Sequence, residues 1–105
     1  MGAVALVKMT DALIDQYLDW CRIKPHDPRW LRAKEIHLDF WKFCLEGRDL
    51  AKVKLATIHD ILAGKRDVEK KKVVLKHLYT FLRQTGRIEQ SEDPVRELAV
   101  EDVAG

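Results

Sequence analysis

Apolar residues return every three or four positions in four separate stretches of this chain, and a proline or a glycine closes each stretch. In the first, Leu13, Ile14, Tyr17, Leu18 and Cys21 share one face, which predicts a helix over 11–22. Thr10 is placed to cap it, Asp11 suits the positive end of its dipole, and Pro25 forces a stop. Asp27-Pro28 then reads as N-cap and first helical residue of a second helix, over 28–45, with Gly47 as its stop. Trp30, Leu31, Leu38, Trp41 and Leu45 form its core face. Ile36, Phe40 and Phe43 widen the apolar arc beyond one stripe, so this helix is expected to be central. Leu50 and Val53 lead into a short helix carrying Leu55, Ile58, Ile61 and Leu62, which Gly64 breaks.

The fourth stretch runs over 68–85, with Asp67 as its expected N-cap and Gly86 as its stop. At 100° per residue, Val74, Leu75, Leu78, Phe81 and Leu82 fall on one face, the core face. Lys72, Lys76 and Arg83 fall within about 40° of one another on another face, with Tyr79 beside them. Asp93-Pro94 is read as the start of a short helix through Val100. Strand-like alternation, internal repeats and low-complexity runs are all missing from the pattern. It predicts an all-α fold, a four-helix orthogonal bundle. The division read from it is a flexible or loosely docked arm (1–9), a helical domain (10–90) and an acidic linker (91–105).

Charge sharpens this picture. The 105 residues carry a net charge of only +2, yet between Lys65 and Arg87 there are eight basic residues against Asp67 and Glu69. Residues 91–105 reverse the balance, with five acidic residues and one basic. Lys70, Lys71 and Lys72 also crowd the start of a helix, where cations oppose the dipole and repel one another unless something anionic compensates. A basic helix face of this kind is expected to meet a polyanion, and double-stranded DNA is the expected partner.

Candidate chemistry of other kinds is weak. The sole serine, Ser91, stands in the acidic stretch, which leaves no support for a serine triad. Cys21, His26, His37 and Cys44 match no common zinc-ligand spacing, so neither metal nor other cofactor is expected. Cys21 and Cys44 lie on apolar helical faces and read as reduced thiols of a cytoplasmic protein. His59 and His77 read as surface positions, the three tryptophans as core or interface, and Asp15 and Asp19 as a solvated acidic face. The apolar run over 2–7 is too short to span a bilayer, so no membrane is expected.

The stretch LKHLYTFLRQTGRIEQSEDP resembles the last helix of the core-binding domain of tyrosine recombinases, the phage integrases. Its matching positions are Leu75, Lys76, Leu78-Tyr79, Phe81-Leu82, Gly86, Ile88 and Pro94, and DFWKFCL resembles the aromatic end of that domain's second helix. The resemblance implies a SAM-like bundle forming half of a clamp on the recombination site. It also implies contacts with other recombinase protomers in a synaptic complex. The nucleophilic tyrosine of that family belongs to a separate catalytic domain, so this chain by itself is not expected to be an enzyme. On that resemblance Lys76 is the first DNA contact, and Lys71 or Lys72 matches an earlier basic position. Arg83 and Tyr79 join by geometry, Lys70 by the crowding at the helix start, and Arg29 and Arg32 from the start of the second helix. The alternative reading is a helical protein-interaction or adaptor domain whose partner groove is the wide apolar arc with Ile36 and Phe43.

Overall fold

A computed structural model describes residues 7–22, 28–96 and 98, without the side chains of 28–31 and 33. Its elements are α1 (Asp11–Arg22), α2 (Pro28–Cys44), a 3-10 turn (Leu50–Lys52), α3 (Leu55–Leu62), α4 (Val68–Gln84) and a second 3-10 turn (Gln90–Glu92). Among the described residues there is no strand, and the architecture is the all-α bundle that the periodicity predicts.

Local chemistry sets most boundaries. Thr10 Oγ1 accepts a hydrogen bond from the Leu13 N–H at 3.1 Å, which occupies one of the orphan donors of the first turn. Gly47 and Gly86 have φ of +77° and +75°, left-handed values that glycine adopts without a Cβ clash. Asp67 departs from expectation. Its φ of 53° is left-handed and its side chain makes no cap hydrogen bond. A capping side chain needs an extended backbone to reach back over the first turn. Here only the Asp67 carbonyl serves α4, accepting from the Lys71 N–H at 3.0 Å. The expected cap Asp27, the expected DNA contact Arg29 and the expected core residues Trp30 and Leu31 lie outside the described residues or side chains.

The core lies along α4. Leu13, Tyr17, Leu18 and Cys21 of α1, Leu38 and Trp41 of α2, Ile58 and Leu62 of α3, and Val74, Leu75, Leu78, Phe81 and Leu82 of α4 are all buried in one cluster. Helix α4 packs chiefly on α2 and then on α1. Two contacts fix α2 and α4 as antiparallel. Trp41 Nε1–H donates to the Lys71 carbonyl at 3.0 Å, and Lys34 Nζ lies 2.5 Å from His77 Nδ1.

Both ends of the described chain are tied in. The Leu50 N–H donates to the Val7 carbonyl at 2.7 Å, the Val7 N–H donates to Asp49 Oδ1 at 3.3 Å, and Met9 is buried. Within the segment expected as linker, Val95 and Leu98 are buried in the core. Of the short helix expected from Asp93 through Val100, residues 94–96 form a turn, and residues 97, 99 and 100 lie outside the described residues. Asp93 Oδ1 accepts from the Val95 N–H at 2.9 Å, and the Leu98 N–H donates to the Val95 carbonyl at 3.0 Å. An apolar pair three residues apart is enough to anchor a turn against a core, and too little to show as a helical stripe.

Candidate nucleic-acid interface

Helix α4 presents two cationic sides. By helical-wheel arithmetic Lys70 stands about 120° away from Lys76. On the Lys76 side the expected constellation assembles, but not in the open. Lys72 Nζ pairs with Glu69 Oε1 at 3.1 Å, one turn earlier. Lys76 Nζ donates to the Leu98 carbonyl at 2.8 Å. Arg83 Nε lies 2.9 Å from Asp93 Oδ2, whose side chain is 1% exposed. Tyr79, expected beside the lysines on the outer face, is fully buried, and its hydroxyl donates to the Leu50 carbonyl at 2.7 Å. This corrects its placement as a surface contact. On a wheel it sits at the border of the two faces, and a tyrosine there turns its ring into the core while its hydroxyl finds a carbonyl. Burial drives the Tyr79 phenol well above its ordinary pKa, and the carboxylates of Asp93 and Asp49 push it further.

The other side is open. Lys65, Arg66 and Lys70, around the α3–α4 turn, are exposed and form no ion pair among the described residues. Lys71, beside them, is half-buried. Its ammonium donates to the Arg66 carbonyl at 2.6 Å and stands 4.9 Å above the Phe40 ring. That contact sets the cations against α2, and His37 of α2 registers them. Its pKa is lowered, first by burial, then by Lys71 and, more weakly, Lys70, against a raising effect from Asp67. Arg32 is exposed on α2, and the Arg29 side chain lies outside the described residues. On the outward face of α2, Ile36 is 65% and Phe43 81% exposed, two turns apart.

A third cluster joins α1, α2 and α4. Lys34, only 2% exposed, brings its ammonium to 2.5 Å from His77 Nδ1, 3.7 Å from Cys21 Sγ and 4.9 Å from the centre of the Tyr17 ring. The Tyr17 hydroxyl is 2.6 Å from the same His77 nitrogen, and Trp20 packs on the imidazole with ring centres 5.2 Å apart. Burial pushes the Lys34 ammonium down to about 8, with Cys21 opposing the shift, and pushes the Tyr17 phenol far up. His77 is thus half-buried and in contact, where a surface position was expected. The signal for Lys34 was in the sequence: it stands in register with Leu38, Trp41 and Leu45 on the core stripe of α2.

Among the described residues no three of His, Cys, Asp and Glu are grouped to hold a metal ion, and no helix is long and apolar enough to cross a membrane. His26 lies outside the described residues. No protein-family model, no curated protein and no solved structure matches the chain.

Proposed function

We propose that the chain is a DNA-binding helical domain, of the core-binding kind it resembles in tyrosine recombinases, gripping duplex phosphates and acting beside other recombinase protomers. One observation carries the reading. Of the eight cations between Lys65 and Arg87, Lys65, Arg66 and Lys70 gather exposed around one turn without an ion pair among the described residues. Lysines held together at a helix start repel one another, and a line of phosphates relieves that repulsion. Arg32 extends the reach along α2. Binding through phosphates positions the domain without reading bases, so little sequence preference is expected.

Fluorescence anisotropy on a labelled duplex tests this. With about 3–4 phosphate contacts, log K against log salt should fall with a slope of about −3 to −4, and Kd should lie on the order of 10⁻⁴–10⁻⁶ M. Lys65→Glu with Lys70→Glu should abolish binding at the lowest salt. A wild-type titration that is flat there refutes the proposal.

The exposure of Ile36 and Phe43 favours a second reading, a protein-interaction domain that docks a partner on the outward face of α2. Under that reading the lysine variants bind the partner as the wild type does, and Ile36→Asp or Phe43→Asp does not.

A further inference from the structure

The basic stripe that the sequence turns toward a polyanion already holds an anion of the chain's own. Lys76 meets the Leu98 carbonyl, Tyr79 feels the charge of Asp93, and the Asp93 carboxylate sits at Arg83 in near-complete burial. We infer that residues 93–96 with Leu98 are a displaceable cover on this stripe, in which Asp93 stands in for a phosphate of duplex DNA. The inference rests on the DNA reading and adds a second, latent phosphate-binding face to it.

The fit of cover to stripe is incomplete in a telling way. Asp93 Oδ2 is 2.9 Å from Arg83 Nε, yet this buried Nε–H has no aligned hydrogen-bond acceptor. A guanidinium binds best through two parallel N–H donors, an arrangement that a phosphate supplies and this carboxylate does not. Lys76 is similarly under-used: its ammonium meets the Leu98 carbonyl, a neutral acceptor, at 2.8 Å. Hydrogen bonds gain strength when both partners are charged, so a phosphate offers both cations more than the cover does. Against this exchange stand the buried side chains of Val95 and Leu98, which keep the cover closed in the absence of DNA. The covering stretch belongs to the acidic 91–105 segment, with five acidic residues and one basic, so DNA also repels it once it is lifted.

The test uses the full chain and Asp93→Asn. Asparagine keeps the oxygen that accepts from the Val95 N–H and removes the charge that faces Arg83. Two quantities are read: duplex affinity across salt, and hydrogen exchange at the Leu98 amide, which is bonded to the Val95 carbonyl. Asp93→Asn should bind duplex about 3–10-fold more tightly at a similar salt slope, because the same phosphates are contacted in both complexes and only the competing carboxylate is removed. Saturating wild-type protein with duplex should speed exchange at Leu98. Arg83→Gln breaks the same ion pair and should loosen Leu98 equally without the gain in affinity; an equal gain overturns the role given to Arg83. Wild-type binding with an unchanged Asp93→Asn, or with Leu98 still protected at saturation, overturns the cover alone. Absence of duplex binding by every variant overturns the DNA reading and the cover with it.

Discussion

The two sides of α4 carry the same kind of charge and make opposite use of it. Toward Asp93 and Leu98, Lys72, Lys76 and Arg83 are each engaged, by Glu69, the Leu98 carbonyl and Asp93. Toward the α3–α4 turn, Lys65, Arg66 and Lys70 are exposed, and only Lys71 is held, by a carbonyl and an aromatic face. In the absence of DNA, cations on the first side are therefore taken up by the chain's own groups, and those on the second are open to a partner. A count of lysines along a helix does not separate these cases, because the difference lies in what the rest of the chain lays over each side.

Removing the support common to both sides has the largest effect. Trp41 is fully buried and its indole N–H holds the Lys71 carbonyl at 3.0 Å, while Phe81 is buried against Tyr17, with ring centres 5.6 Å apart. Trp41→Ala or Phe81→Ala should cost about 3–5 kcal/mol, from lost transfer energy and the cavity left behind. A domain of this size has roughly 5–15 kcal/mol in all, so thermal melting should show a large loss in either variant. A melting temperature unchanged in both would remove the common core on which the comparison stands.

The polar cluster under α4 comes next, through pH. The Lys34 pKa is about 8 in the fold against 10.5 when exposed, so above pH 8 the folded chain has shed a proton that the unfolded chain still binds. Stability must then rise with pH from about 8 toward 10. Two pH units at about 1.36 kcal/mol each set a ceiling, and about 1–2.5 kcal/mol is expected. Above pH 10 the gain reverses, because the buried Tyr17 and Tyr79 phenols, raised in the fold, ionise only in the unfolded chain. Urea unfolding at several pH values, on wild type and Lys34→Met, isolates the lysine's part. A difference between the two that stays constant from pH 8 to 10 would show that Lys34 does not titrate there.

How far the sequence reveals this molecule depends on distance along the chain. Thr10 as a cap, Gly47 and Gly86 as stops, and the buried faces of α1 and α4 were legible, because each rests on neighbours within about one or two turns. The burial of Tyr79 and the docking of Val95 and Leu98 were not. Tyr79 is drawn inward by a carbonyl 29 residues away, and Arg83 is paired by Asp93 only because Val95 and Leu98 dock. No periodic pattern encodes such contacts. Lys34 is the intermediate case: its place on the core stripe was readable, but the His77 nitrogen that meets it comes from 43 residues away.

Charge reversal tests the comparison itself. Lys72→Glu with Lys76→Glu breaks the Glu69 pair and the bond to Leu98, so a stability loss of about 1–2 kcal/mol is expected, beyond the usual surface range. From sequence alone the same double variant would be expected to cost no more than about 1 kcal/mol. Lys65→Glu with Lys70→Glu alters exposed groups without ion pairs among the described residues, so the fold should shift by no more than about 0.5 kcal/mol while duplex affinity falls. Paired melting and titration on both double variants reads the difference. Equal stability losses would mean that the two sides of α4 do not differ in the way drawn here.

The smallest effect is expected at Phe43, and its smallness is informative. At 81% exposure the ring buries little on folding, so Phe43→Ser should leave stability within about 0.5 kcal/mol. Serine changes no charge, and phosphate contacts respond to charge, so the salt slope of duplex binding should also stand unchanged. The adaptor reading predicts otherwise. A large exposed aromatic two turns from Ile36 is the kind of anchor that fills a partner's pocket, and its loss would remove binding while the fold stays intact. A Phe43→Ser chain that melts and binds duplex as the wild type does therefore leaves recognition to the cations of α4 and the α3–α4 turn. A variant that keeps its fold but loses duplex binding would place the outward face of α2 inside the interface and extend the open side of α4 across to its neighbour.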